Sequence, residues 1–243
     1  MLTFGSLFAG IGGFDLGMER AGLSCRWQVE IDEFCNQILA KHWPDVARGR
    51  DVRLWPMPDT QWVDIICGGF PCQDISSSGD KVGIVGARSG LWGEFSRIIR
   101  EVRPRYVVVE NVADLVHRGL DTVLGDLANV GFDAWWGLLP AASFGSPQRR
   151  LRTVIVAHAH GGGQQRREEW DVYWQGYFLR HHRDGLDLAE RAAATCPGRV
   201  RRIPSGVSRG VDVTRRIAAC GNSIHPAMTE WIGRGLVEFS ERN

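Results

Sequence analysis

Short apolar runs alternate with amphipathic segments along most of this chain. Residues 3–8, 25–29, 63–67, 105–109, 134–139 and 151–157 read as strands: brief, largely apolar, and closed by glycine, asparagine or acidic residues. Between them, residues 14–21, 34–43, 91–102 and 120–130 carry apolar side chains three and four apart, the helical spacing. Gly22, Pro44 and Gly131 stand where those helices should stop. A final helix is expected at 229–239, with Trp231, Ile232 and Leu236 on one face. Strands that alternate with helices pair side by side through crossovers. The expected fold is therefore α/β: a doubly wound, mostly parallel sheet. A chain of 243 residues suits one large domain, or one domain with a small lobe.

Charge divides the chain. Residues 1–147 carry 13 basic and 18 acidic residues, whereas 148–216 carry 14 arginines against 7 acidic residues. Every cation in that late segment is arginine, whose fork suits phosphates and base edges. The asymmetry favours a polyanionic partner, although a solvated polar lobe has the same composition. Residues 158–198 are rich in Gly, Arg, His and Trp, show weak periodicity, and read as an inserted lobe or long loops. No apolar run approaches the roughly 18 residues that span a bilayer, and the amino terminus lacks a basic-then-apolar leader pattern. The six cysteines form no C-x-x-C pair and no metal spacing, so no metal is expected, and a reduced, cytoplasmic location is.

In an open α/β sheet, ligands bind beyond the carboxyl ends of the strands. Phe8-Ala-Gly-Ile-Gly-Gly13 follows the first strand. Such a turn holds NAD, FAD or S-adenosylmethionine, or is merely tight. Glu30 ends the second strand, where a carboxylate takes ribose hydroxyls or simply starts a helix. Gly68-Gly-Phe-Pro-Cys-Gln73 follows the third run. Cys25, Cys35 and Cys67 read as buried and inert, but Cys72 lies in a loop where a thiolate is accessible and serves as a covalent nucleophile. Glu110, in Val109-Glu-Asn-Val112, is a candidate acid if desolvation keeps it protonated near neutrality, or else a structural ion-pair partner. In Gln148-Arg-Arg-Leu-Arg152, Arg150 and Arg152 share one side of an extended chain. Gly221-Asn-Ser-Ile-His-Pro226 is turn chemistry.

In this order, these segments resemble the cytosine-5 DNA methyltransferase family. Phe8–Gly13 looks like its cofactor loop, and Pro71-Cys72-Gln73 like its nucleophile motif. Glu110-Asn111-Val112 looks like its acid motif, Gln148 to Arg152 like its Q-x-R-x-R motif, and Gly221-Asn222-Ser223 like its final cofactor motif. Arg88-Ser-Gly-Leu91 resembles the end of its mobile loop. The resemblance covers about residues 3–157 and 211–239. It implies a Rossmann-like S-adenosylmethionine-dependent fold, with a catalytic domain at 1–157 plus 211–243 and a small Arg-rich target-recognition lobe at 158–210.

It also implies roles. Cys72 attacks C6 of a cytosine flipped out of duplex DNA, because C6 is inaccessible in the stack. Glu110 holds and protonates the ring edge, Arg152 bonds the base, and Arg150 supports the active-site loop. Ala9, Gly10, Gly12 and Gly13 cradle the methionine end of S-adenosylmethionine, with Asn222 and Ser223 closing it. Phe8 and Ile31 pack on the adenine, Glu30 binds the ribose, and Asp51 with Val52 meets the adenine edge. Gly69, Pro71 and Leu91 complete the cofactor contacts. Gln73, Ser76, Arg88, Gln148 and Arg149 face DNA.

Family members carry a larger recognition lobe than the about 60 residues here, and an Arg-rich motif of which Arg199-Val-Arg-Arg-Ile-Pro-Ser-Gly is at best a remnant. The compact form resembles phage or prophage members, expected to act as monomers in bacterial cytoplasm, with a restriction nuclease as one partner to test. Three other readings remain: an RNA (tRNA) cytosine-5 methyltransferase, a nicotinamide-dependent dehydrogenase that leaves Cys72, Glu110 and Arg152 without a role, and a degenerate DNA-binding homologue.

Overall fold

The computed structural model describes residues 1–54, 62–71, 90–146, 150–160, 168–180 and 224–242. Its seven strands are β1 (Thr3–Leu7), β2 (Ser24–Val29), β3 (Ala47–Gly49), β4 (Ile65–Gly68), β5 (Tyr106–Val112), β6 (Phe132–Pro140) and β7 (Leu151–Ala159). They form one sheet in the order β3-β2-β1-β4-β5-β7-β6. The pairs β1/β2, β2/β3, β1/β4 and β4/β5 are parallel, and β7 runs antiparallel between β5 and β6. The chain moves outward from β1 to β3, then returns to lay β4 on the other side of β1. That reversal opens a crevice beyond the carboxyl ends of β1 and β4, the ligand position of this sheet class.

Side chains alternate across each strand, so each strand feeds two cores. On β5, Val107 and Val109 join Leu7, Ile66 and Ile155 on one face, while Tyr106 and Val108 join Phe4, Ile65 and Val156 on the other. Helix α1 (Gly13–Arg20) covers the second face, α2 (Glu33–His42) follows β2, and α3 (Leu91–Val102) covers the first face. The α3 face is set by Trp92, Phe95, Ile98 and Ile99, all buried, and the Trp92 indole donates to Asp126 Oδ2 at 2.8 Å. That aspartate lies on α5 (Leu120–Val130), which follows the short α4 (Leu115–Arg118). Gly131 ends α5 at φ 93°, the left-handed turn that glycine adopts without a Cβ clash.

Two features depart from the sequence reading. The three-residue β3 escaped it because Ala-Arg-Gly carries no apolar signal; backbone pairing with β2 alone defines that strand. More consequentially, residues 168–180, inside a stretch read as weakly periodic, form a helix, α6. Trp170, Tyr173, Trp174 and Tyr177 recur at i, i+3, i+4 and i+7, a helical stripe masked by the surrounding Gly, Arg and His. The stripe packs into the second-face core, beside the carboxy-terminal helix α7 (Pro226–Arg242). The Tyr173 and Tyr177 hydroxyls donate to the carbonyls of Gly235 and Trp231, each at 2.9 Å, and the Tyr177 and Trp231 rings stack at 4.8 Å.

Helices α1 and α7 meet where Gly17 has no side chain. A Cβ there would overlap Thr229 Oγ1 and the Pro226 carbonyl oxygen. At Gly125, in the middle of α5, a Cβ meets nothing within 4 Å. Gly17→Ala is therefore expected to destabilise the fold by about 1–3 kcal/mol through overpacking. Gly125→Ala should stabilise it by roughly 0.4–1 kcal/mol, by restricting the unfolded chain. Urea unfolding midpoints measure both, and the two shifts should have opposite sign.

Candidate active site

The loop after β1 winds tightly. Gly10 and Gly12 have φ of 57° and 88°, and Phe8 has φ of 54°, a left-handed conformation costly for a residue with a Cβ. Backbone bonds hold the turn: Ala9 N–H to Val29 O at 3.1 Å, and Gly12 N–H to Ala9 O at 3.0 Å. Glu30 ties the loop to the end of β2. Its Oε2 accepts the Gly10 amide at 2.7 Å, and its Oε1 accepts the Asp32 amide at 2.8 Å. Glu30 thus stands at the entry to α2, whose N-cap is Asp32, and also faces the glycine turn. Each carboxylate oxygen keeps a second lone pair able to take a hydroxyl.

These residues fit a nucleoside cofactor. Nothing lies within 4 Å of a Cβ built on Gly10, so the turn faces open space there. Ile31, just past Glu30, is an apolar side chain left 65% exposed, suited to covering a flat base. Ala9 and Val52 are buried, and Leu91 packs against the first-face core. Phe8 stacks near Phe95, ring centres 6.2 Å apart. Asp51 is already committed: its carboxylate receives the Arg53 side chain at 2.7 Å, which holds it below the usual carboxylate range. Arg97 on α3 donates to the Val52 carbonyl at 3.2 Å, a tie with no sequence signature.

The second half lies beyond β4 and β5. Glu110 is opposite Val154, and Arg152 is opposite Val112. Residues displaced by two across an antiparallel pair share a face, and here Arg152 Nε lies 2.6 Å from Glu110 Oε1. Both side chains are largely buried, 14% and 10% exposed. Burial raises the Glu110 carboxyl to about 7, against the opposing pull of the Arg152 guanidinium. The folded state therefore binds this proton more tightly than the unfolded chain. The associated stability is fully present below the ordinary value of 4.5 and is lost as pH rises through about 7.

Gly69 runs directly over this carboxyl, since a Cβ there would come 2.6 Å from Glu110 Oε2. Asn111 Nδ2 donates to the Phe70 carbonyl at 3.1 Å, and Asn111 Oδ1 accepts the Val112 amide at 2.9 Å. The acid-bearing strand thus holds the backbone that leads to Pro71 and the residue after it. In the sequence, Asn111 is marked only by its place in the Glu-Asn-Val motif. The Arg150 carbonyl accepts the Ala141 amide at 2.8 Å, anchoring the entry to β7. Cys72, Gln73, Ser76, Arg88, Gln148, Arg149, Asn222 and Ser223 lie outside the described residues. Cys25, Cys35 and Cys67 are buried, and burial raises all three thiols, Cys35 to about 12. None of these three is a thiolate near neutral pH. Among the described residues, no His/Cys/Asp/Glu group suited to a metal ion occurs, and no helix is long and apolar enough to cross a membrane.

A family model described as C-5 cytosine-specific DNA methylase matches residues 2–173. The chain is 36% identical over 158 residues to Type II methyltransferase M.Eco47II of Escherichia coli, covering 62% of this chain and 38% of that protein. It is 32% identical over 161 residues to Type II methyltransferase M.HhaI of Haemophilus parahaemolyticus, covering 64% and 48%. The matches thus span less than half the length of these relatives. Among solved structures, a protein encoded within an E. coli prophage and assigned as a DNA modification methyltransferase superposes with TM-score 0.56 at 26% identity, covering 65% of this chain and 47% of that one. The Dnmt2 methyltransferase of S. pombe has the same fold, with TM-score 0.55, 21% identity and coverage of 68% and 53%.

Arg152 is the group holding the Glu110 carboxyl down against its burial. Arg152→Met should therefore move the Glu110 titration above about 7. Infrared titration of the protonated-carboxyl band reads this directly, with Glu110→Gln identifying the band. A titration unchanged or lowered in Arg152→Met would contradict the assignment of that electrostatic balance.

Proposed function

The chain belongs to the C-5 cytosine-specific DNA methylase family, and from that membership we propose that it transfers a methyl group from S-adenosylmethionine to C5 of cytosine in double-stranded DNA. The observation that carries this reading is the buried Glu110 carboxyl, raised to about 7 and held 2.6 Å from Arg152, directly beneath the Gly69–Phe70 backbone. At neutral pH this carboxyl is divided between its two forms, so it can give a proton to a ring nitrogen and recover it.

In this mechanism the target cytosine leaves the duplex stack before reaction. Cys72, as thiolate, adds to C6. Glu110 supplies a proton to N3 as that bond forms, so C5 gains the electron pair of an enamine-like carbon instead of a costly anion. When bound, S-adenosylmethionine would supply C5 with an electrophilic methyl, its sulfonium leaving as the neutral thioether S-adenosylhomocysteine. A base then removes the C5 proton, and the electron pair expels the Cys72 thiolate by elimination. Arg152 orients the Glu110 carboxyl and bonds the base O2, while Arg150 supports the loop. Phe8, Ala9, Gly10, Gly12, Gly13, Glu30, Ile31, Asp51, Val52, Gly69, Pro71, Leu91, Asn222 and Ser223 form the cofactor side. For Asp51, binding the adenine amine requires sharing the carboxylate with Arg53. Gln73, Ser76, Arg88, Gln148 and Arg149 contact DNA.

Residues 158–210 act as the target-recognition lobe, rooted through the aromatic stripe of α6 in the second-face core, with 1–157 and 211–243 as the catalytic domain. The chain acts as a cytoplasmic monomer, and a partner restriction nuclease recognises the same site.

A duplex carrying 5-fluorocytosine at the target should form a denaturation-resistant adduct when S-adenosylmethionine is present, because fluorine cannot leave as a proton. Cys72→Ser should form none; an adduct that survives in this variant would rule out Cys72 as the nucleophile. Labelled methyl transfer to tRNA in preference to duplex DNA would move the substrate to RNA. Absence of both transfer and adduct would favour a degenerate binding protein.

A further inference from the structure

Thr229 lies on the first turns of α7, with its side chain wholly buried. Its hydroxyl oxygen is 3.0 Å from the carbonyl oxygen of Gly13 and 2.9 Å from that of Pro226. A threonine in a helix ordinarily returns its proton to a carbonyl one turn back, here Pro226. The Gly13 carbonyl is a second acceptor, 216 residues away in sequence. Gly13 opens α1 and closes the glycine turn, so this contact joins the two ends of the chain at the cofactor loop. The approach is close because Gly17, one turn further along α1, presents no side chain to Thr229.

The loop needs such a tie. Phe8 holds a positive φ despite its Cβ, a conformation that persists only where surrounding contacts over-determine it. Its β2 side is held by Val29 and Glu30. On the α7 side, the hydrogen bond to the loop's end comes from Thr229. The Asn222-Ser223 segment, assigned to the same cofactor, leads in sequence directly into α7.

We propose that Thr229 is a positioning residue for cofactor binding, its hydroxyl holding the Gly13 carbonyl so that the glycine turn and the start of α7 keep a fixed spacing. This rests on the reading of Phe8–Gly13 as an S-adenosylmethionine loop. The hydroxyl touches no reacting atom, so it acts on cofactor affinity and leaves the chemical step alone.

Calorimetric titration with S-adenosylhomocysteine tests this on the full chain. Thr229→Val keeps the shape and removes the donor, and should raise Kd about tenfold, equivalent to about 1.4 kcal/mol. Thr229→Ser, which keeps the hydroxyl, should restore most of that affinity. Val123→Ala, in the α5 core away from the loop, provides a variant of comparably reduced stability and should bind as wild type does. In methyl transfer, Thr229→Val should raise KM for S-adenosylmethionine with kcat unchanged. Wild-type Kd in Thr229→Val, failure of the Ser variant to recover affinity, or equal weakening in Val123→Ala would each overturn the proposal. If the wild-type chain itself binds no S-adenosylhomocysteine, the reading of the loop fails first and takes the proposal with it.

Discussion

Everything at the site depends on β1 being paired in parallel on both sides, with β2 and with β4. That pairing brings three strand ends to one rim. The β1 end carries the glycine turn, the β2 end carries Glu30, and the β4 end carries Gly68–Pro71. Backbone pairing of β4 with residues 106–109 of β5 then brings Glu110, the next residue, beneath Gly69. Antiparallel pairing of β1 with β4 would instead send these ends to opposite edges of the sheet. The crossover rule for parallel strands is thus a chemical constraint as well as a topological one.

The antiparallel insertion of β7 adds the electrostatic half. Because β7 runs against β5, its beginning lies beside the end of β5, and Arg152 reaches Glu110 across the ladder. Two opposed effects then set the carboxyl. Removal from water disfavours its charge, and the guanidinium favours it; burial wins, and the group titrates at about 7 instead of 4.5. A fully exposed pair would leave the carboxyl ionised, and burial without the arginine would lock the proton on. The pair keeps the proton exchangeable near neutral pH.

The opposite face of the sheet supplies rigidity. Helices α1, α6 and α7 bury a dense aromatic set there, with the Trp170 ring packed against Tyr106, Trp174 and Phe239. Hydroxyls of Tyr173, Tyr177 and Thr229 fasten that layer through backbone carbonyls. A polar group buried without such a partner costs about 1–3 kcal/mol, so these bonds also select one seating of the helices over slid alternatives.

The fold class was legible in the sequence alone, because strand and helix periods are local, and the glycine, Pro-Cys-Gln, Glu-Asn-Val and Arg-x-Arg segments named a candidate site because each is contiguous. Leu91–Val102 and Leu120–Val130 appear as helices with the ends the pattern requires. The sequence did not determine β3, a three-residue strand defined by its pairing with β2, or α6, whose aromatic stripe has a meaning only once a core exists for it to enter. Nor did it set the state of Glu110, whose carboxyl the fold both pairs with Arg152 and raises to about 7 by burial. That state belongs to tertiary structure because desolvation and a cross-strand cation are set by distance in space, and residues 110 and 152 become neighbours only when β7 inserts beside β5.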